Sequence, residues 1–247
     1  MTQPPDNTDF PEFPDTALAM TDPNGLLASG GTLSVNWLLA AYHRGIFPWF
    51  NEEDPILWWS PDPRMVLSRT GVRLNRTFKR QLRNSPLTHI TFDQCFERVI
   101  ARCADSRDDE GTWITEDLMA AYCDAHHAGL AHSVEVWEGD TLIGGMYGIA
   151  MGDVFFGESM FSDKQSASRY ALLALFAGHP HVTLIDCQVP SDHLLAFGAH
   201  LIPRLAFESL LRDHTPAVLA EVLADAKSWN WQQSISKDQL IQQVLAT

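Results

Sequence analysis

The sequence predicts an α+β protein, with a small N-terminal unit followed by a mixed sheet and flanking helices. Three observations carry that expectation. Nine of the fourteen prolines and four of the eight tryptophans fall within residues 1–63, a composition shift that ends at Ser60-Pro61-Asp62-Pro63. Residues 132–161 hold three successive strand patterns separated by two tight turns, Gly139-Asp140 and Gly152-Asp153. Helix and strand patterns then alternate as far as about residue 205. The boundaries that follow are residues 1–63 for a small N-terminal domain, 64–215 for the sheet domain, and 216–247 for an Ala-rich helical tail of no assigned role.

In the N-terminal unit, Asp22-Pro23-Asn24-Gly25 and Gly30-Gly31 read as turns. Ser34 reads as the N-cap of a helix through Leu38, Leu39 and Tyr42, closed by Gly45. Residues 56–59 read as a short strand. In the sheet domain, a helix is predicted after Asn75, another over 92–103, and a third capped by Thr115 and ending near Gly129. The strand patterns are 132–138, 141–150 and 154–161. Ser162 and Gln165 have capping-box spacing for a helix through Ala171, Leu172 and Leu175. A buried strand over 182–187, a short helix over 193–197 stopped by Gly198, and a strand near 201–205 complete the domain.

A chain of 247 residues can bury a core without disulfide or metal staples. With 45% hydrophobic and 19% charged residues, wholesale disorder is excluded. No stretch approaches 18 apolar residues, and the start, MTQPPDNTDF, lacks the basic and apolar regions of a signal peptide. The four cysteines (95, 103, 123 and 187) show no paired spacing, which fits a reducing compartment. A cytoplasmic monomer without membrane contact is expected.

The net charge of −14 argues against a nucleic-acid partner, yet the charge is unevenly placed. Residues 64–83 carry seven basic side chains and no acidic one: Arg64, Arg69, Arg73, Arg76, Lys79, Arg80 and Arg83. A solvated helix face explains such a run, and so does an external anion such as a phosphate backbone. Among chemical groups, the carboxylate in Gly157-Glu158-Ser159-Met160-Phe161 lies in an apolar strand and calls for a partner. Asp186 and Gln188 share one strand face by the period of two, at the carboxyl end of an apolar strand. Taken together they suggest a pocket for something apolar that carries an amine. Cys187 reads as an inert buried thiol, and Cys123, His126 and His127 lack the second ligand pair of a metal site.

Several long runs are specific enough to carry a resemblance. They include Gly25–Gly31, Ala41–Phe50, Pro55–Arg64, Glu110–Thr115, His132–Trp137, Gly157–Ser162 and Leu184–Gln188, with His193 and Phe197-Gly198-Ala199. From about Gly25 to Leu211 the chain resembles the bacterial leucyl/phenylalanyl-tRNA–protein transferases. The resemblance implies an acetyltransferase-like (GNAT-type) sheet domain as the catalytic part. It also implies transfer of Leu or Phe, less readily Met, from aminoacyl-tRNA to the N-terminal Arg or Lys of a protein, marking that protein for proteolysis. No metal and no nucleotide cofactor are implied.

The same resemblance assigns residues. Trp49 and Trp113 would sandwich the terminal adenine of the tRNA. Met146, Phe155, Met160 and Ile185 would line the aminoacyl pocket, with Tyr122 grouped beside them and Leu175 where the family has Phe. Asp186 would position Gln188, which orients the attacking amine, and Glu158 would hold the substrate's ammonium group. Arg76, Lys79, Arg80 and Arg83 would meet acceptor-stem phosphates, and Arg169 replaces a customary Lys. Two rivals are weaker. An acyl-CoA-dependent N-acyltransferase would need a Gly-rich turn where Ser162-Asp163-Lys164-Gln165 stands. A non-catalytic tRNA-binding module would have no need of Asp186, Gln188 and Glu158 together.

Overall fold

The computed structural model describes residues 10–106, 113–219, 221–222, 230–231 and 233–245. The expected N-terminal run MTQPPDNTD, Glu110-Gly111-Thr112 of the quoted motif and part of the expected helical tail lie outside them. The N-terminal unit runs β1 (Leu26–Ser29), α1 (Val35–Tyr42), β2 (Phe47–Pro48) and β3 (Leu57–Trp59), and its antiparallel sheet has the order β1-β3-β2. Ser34 caps α1 as its sequence position predicts, its hydroxyl accepting from the Trp37 N–H.

The larger part continues with β4 (Arg64–Ser68), α2 (Arg76–Asn84), β5 (His89–Phe92), α3 (Phe96–Asp105) and α4 (Glu116–His127). A meander follows: β6 (Ala131–Glu138), β7 (Thr141–Met151) and β8 (Val154–Ser162). Then come α5 (Ala167–Gly178), β9 (Leu184–Gln188), α6 (Asp192–Phe197), β10 (His200–Ile202) and α7 (Arg204–His214). At the end lie β11 (Ser234–Ser236) and α8 (Lys237–Leu245). Among the described residues the eight-stranded sheet has the order β10-β4-β9-β8-β7-β6-β5-β11, with β8 and β9 its one parallel pair. The fold class is therefore α+β.

Each face of the sheet carries its own apolar layer. One joins α1, α3, α4 and α7 to the side chains of Tyr147, Ile149, Phe156 and Leu184. The other joins α2, α5, α6 and α8 to Met146, Phe155, Ile185 and Val134. Alternation along each strand supplies both sets, because the sheet is covered on both sides.

Four local expectations are corrected. Residues 64–68 and 89–92 form strands, so the expected helix over 92–103 begins only at Phe96. Arg204 already opens α7, and the strand expected to reach 205 stops at Ile202. In the tail, residues 234–236 pair with β5 as an edge strand. Ser162 and Gln165 form no capping box: α5 starts at Ala167, behind Ser166 in the left-handed region, and Ser162 Oγ instead accepts from the Ser168 N–H. The helix lies close on β7 here, because a Cβ at Gly144 would stand 2.4 Å from that of Ala167.

Candidate active site

The parallel pairing of β8 with β9 lasts for three residues, Val154–Phe156 against Leu184–Asp186. Each strand then carries a bulge. Tyr147 and Gly148 of β7 oppose Ser159 and Gly157, so Glu158 is the extra residue in β8. Met65 and Val66 of β4 oppose Gln188 and Asp186, so Cys187 is the extra residue in β9. The first bulge changes the facing of everything after it. Ser159 pairs with Tyr147 and Met160 with Met146, so Met160 joins the α5 layer while Ser159 stays on the α4 side. Without the extra residue Glu158 and Met160, two apart, would share a face.

A cavity of about 350 Å³ opens between the parting strands. Its apolar wall is Met146, Met160, Leu172, Ile185 and Leu194, and its polar wall is Glu158, Ser159, Asp186 and Gln188. Trp49 and Trp113 stand at the rim with Val189 and His193. Trp49 remains 42% exposed, and its carbonyl accepts from the indole N–H of Trp59 at 2.6 Å. An exposed indole on a fixed stretch of backbone is a stacking surface.

Behind the polar wall lies a buried network. The Arg64 guanidinium donates to both oxygens of Asp186, Nε to Oδ1 at 2.8 Å and Nη2 to Oδ2 at 2.7 Å, and both side chains are fully buried. It also donates to the Gly45 carbonyl and lies between the rings of Phe47 and Phe207. Asp186 Oδ1 accepts the Gln188 N–H at 3.0 Å, which holds Gln188 in the left-handed region at φ 61°. Gln188 Nε2 donates to Glu158 Oε1 at 2.7 Å. The other Glu158 oxygen accepts from the Tyr122 hydroxyl at 2.7 Å, and that hydroxyl meets Tyr42 in turn.

Burial raises the Glu158 carboxyl to about 7, with the nearby Asp186 charge adding to it and hydrogen bonds from Tyr122, Tyr42 and Gln188 opposing it. Burial, and then the Glu158 charge, push the phenols of Tyr42 and Tyr122 well above their ordinary range. Burial likewise raises the Cys187 thiol, so it is a poor nucleophile at neutral pH.

The structure thus brings Glu158, Asp186, Gln188, Trp49, Trp113, Met146, Met160 and Ile185 to one cavity. Three expected residues do not line it. Leu175 is fully buried one helical turn beyond Leu172, and Leu172 supplies the helix wall. Phe155 packs fully buried in the α5 layer, and Tyr122 acts from behind Glu158. One Glu158 oxygen accepts from the Gln188 amide and the other from the Tyr122 hydroxyl. Arg64, Tyr42, Ser159 and Leu172 were missed. The need of a buried Asp186 for a cation is the signal that could have found Arg64.

On α2, Phe78 and Leu82 face inward at i, i+4, leaving Arg76, Arg80 and Arg83 exposed and Lys79 half-buried. Among the described residues, none of these four cations makes an ion pair. A larger groove of about 730 Å³ passes Lys79 and Arg69, but the Arg69 guanidinium is committed to the carbonyls of Phe176, His179 and Val182. Asp93, His126 and His132 bring possible metal donors within 4.8 Å of one another. Nδ1 of His132 is already bonded there to Asp93, and Nδ1 of His126 to the Ala131 carbonyl.

The chain is similar to known proteins over most of its length. The profile of a family described as leucyl/phenylalanyl-tRNA protein transferase matches residues 66–212, and that of its N-terminal domain matches residues 31–62. A leucyl/phenylalanyl-tRNA–protein transferase of Hydrogenovibrio crunogenus is 51% identical over 207 residues, 82% of this chain and 80% of the relative. Its counterpart in Alcanivorax borkumensis is 50% identical over 83% of this chain and 86% of its own. That of Methylococcus capsulatus is 47% identical over 90% of this chain and 94% of its own. With profiles spanning both parts and relatives near half identity, the chain belongs to the leucyl/phenylalanyl-tRNA–protein transferase family.

Proposed function

We propose that this protein transfers leucine or phenylalanine, and less readily methionine, from aminoacyl-tRNA to the N-terminal Arg or Lys of an acceptor protein in the cytoplasm. The observation that carries the reading is the cavity at the parted ends of β8 and β9, apolar on the methionine side and hydrogen-bonding on the Glu158–Gln188 side. The terminal adenine would lie against Trp49 and Trp113, and the aminoacyl side chain among Met146, Met160, Leu172 and Ile185. A wall with two methionines adapts its shape, which suits both Leu and Phe. The cations of α2 would meet phosphates of the acceptor stem. On this reading residues 64–215 form the catalytic domain and 1–63 the small domain that brings Trp49 to the cavity.

The reaction is aminolysis of an ester. The α-amine nitrogen of the acceptor forms a bond to the ester carbonyl carbon, the bond to the ribose oxygen breaks, and a proton of the amine ends on that oxygen. Because Gln188 Nε2 is held by Glu158, the amide's Oε1 is the end left to accept from the amine. An amide is a feeble base, so Gln188 orients the nucleophile; orientation of this kind supplies roughly 7–11 kcal/mol of a barrier. Asp186, clamped by Arg64, positions Gln188 through its backbone N–H.

The test is transfer of labelled Phe from Phe-tRNA to two peptides differing only in N-terminal Arg or Glu. Transfer to the Arg peptide alone is expected, with loss on Gln188→Ala. A Glu-peptide product would reassign the acceptor, and tRNA binding without transfer would overturn the enzymatic reading.

A further inference from the structure

Between the mouth of the cavity and the cations of α2 stands one more positive side chain, Arg169. It lies in the first turn of α5, flanked by Ser168 and, one turn on, Leu172, both of which line the cavity. Its guanidinium carbon sits 5.1 Å from the centre of the Phe78 ring, and Phe78 belongs to α2. Nη2 donates to Ser166 Oγ at 2.6 Å, and the Ser166 hydroxyl approaches Gln81 Oε1 of α2 at 3.5 Å. The charge also reaches the mouth of the cavity. Burial, and then Arg169, lower the imidazole of His193, which lines that mouth beside Ser191 and Val189.

This half-buried guanidinium is not neutralised. Among the described residues no carboxylate lies within ion-pair distance of it. Asp163, six residues earlier, is taken by Arg102 at 2.6 Å. The Phe78 ring fixes the plane of the group and Ser166 fixes its turn, so little side-chain freedom remains to be lost when an anion binds. A guanidinium has five N–H donors, and one neutral hydroxyl leaves most of them for a ligand. Such a fork fits two oxygens of a phosphate.

We propose that Arg169 binds the internucleotide phosphate on the 5′ side of the donor's terminal adenosine. The inference rests on the transfer reading above, in which that adenosine lies against Trp49 and Trp113 and the acceptor stem lies on α2. The strand that joins them crosses from the cavity mouth to α2, which is the interval Arg169 occupies. The cations of α2 hold the stem, whereas Arg169 holds the last phosphate and so sets how deeply the ester enters the cavity. It is a positioning residue for the donor and takes no part in activating the acceptor.

The experiment measures binding, so that it does not depend on turnover. Two stable 3′-phenylalanylamides of adenosine serve as probes. One has a free 5′-hydroxyl, and the other carries a 5′-methyl phosphate, whose single charge matches an internucleotide link. Indole fluorescence reports their dissociation constants for the wild type, Arg169→Gln and Arg169→Lys. The wild type is expected to favour the phosphate probe by about tenfold to a hundredfold at low salt, as for a hydrogen bond between charged groups. Added salt should reduce that preference. In Arg169→Gln the preference should fall to within about threefold, while affinity for the 5′-hydroxyl probe stays unchanged, which shows the cavity intact. Arg169→Lys keeps the charge without the fork and should fall between the two.

Equal wild-type affinity for the two probes overturns the proposal without recourse to any variant. A glutamine variant that keeps the full preference overturns it as well, and so does one that weakens both probes equally, because packing on Phe78 alone would then explain the residue. If the wild type binds neither probe, the donor reading itself fails, and this inference fails with it.

Discussion

Replacing Arg64 by Met keeps an unbranched apolar stem and removes the guanidinium. Asp186 then loses both charge-assisted bonds, at 2.8 and 2.7 Å, and keeps only the Gln188 N–H at 3.0 Å. Both partners are fully buried, so water cannot take the place of the lost donors. Removing one member of such a pair costs about 3–5 kcal/mol, a large part of the 5–15 kcal/mol typical of a folded domain. With a urea dependence of roughly 2–3 kcal/mol per molar, the midpoint should fall by about 1–2 M. The double variant Arg64→Met/Asp186→Leu buries no charge and should recover most of the loss. It should nevertheless remain inactive, because Gln188 has lost the acceptor that holds its backbone. Urea titration followed by fluorescence, run beside the peptide-transfer assay, separates the two effects. The reasoning is refuted if the single variant lies within 1 kcal/mol of wild type, or if the double variant is no more stable than the single.

Three other outcomes follow from the site. Glu158 is held near 7, above its ordinary value of 4.5, so the unfolded chain ionises first. Stability from this group is then full below about pH 4.5 and is lost as pH rises toward 7; Glu158→Gln should flatten stability between pH 5 and 7 by up to about 3 kcal/mol, and an unchanged urea-midpoint profile refutes this. Leu172→Ala should change the Phe-to-Leu donor ratio by about tenfold, whereas Leu175→Ala should cost about 2–5 kcal/mol of stability and leave that ratio within twofold; competition between the two charged tRNAs measures both. Replacing Arg80 or Arg83 by Gln should lower tRNA affinity and flatten its salt dependence by about one unit of log–log slope each, as read from filter binding between 50 and 200 mM salt.

The meander, the cap at Ser34 and the stop at Gly198 were legible because each rests on a local rule of spacing or turn chemistry. Strand β4 was hidden by its composition. Arg64 opens a run of seven cations, which reads as surface, yet its side chain is fully buried against Asp186, 122 residues away. β11 and β5 were missed for a related reason. Short strands of mixed polarity acquire their identity from a neighbour, and His89–Phe92 has one on each side. The apparent capping box at Ser162 failed because Ser166 adopts φ 68° and the helix waits until Ala167.

The site itself shows the limit of periodicity most clearly. A period of two places Asp186 and Gln188 on one face, and Glu158 with Met160 on another. The two bulges break both rules at the positions where chemistry is needed, and a bulge is a property of register between strands that no single strand encodes. In β9 the extra Cys187 lets Asp186 turn inward to Arg64 while its oxygen still reaches the Gln188 N–H. In β8 the extra Glu158 puts a carboxylate and a serine together on the polar wall and sends Met160 to the apolar one. A slip that restored regular pairing in β8 would return Met160 to the Glu158 side and remove half of the apolar wall's methionine. The division of the cavity into an apolar wall and a hydrogen-bonding wall is therefore set by the bulge in β8. For that reason deleting one residue there should abolish donor selectivity even in a chain that still folds.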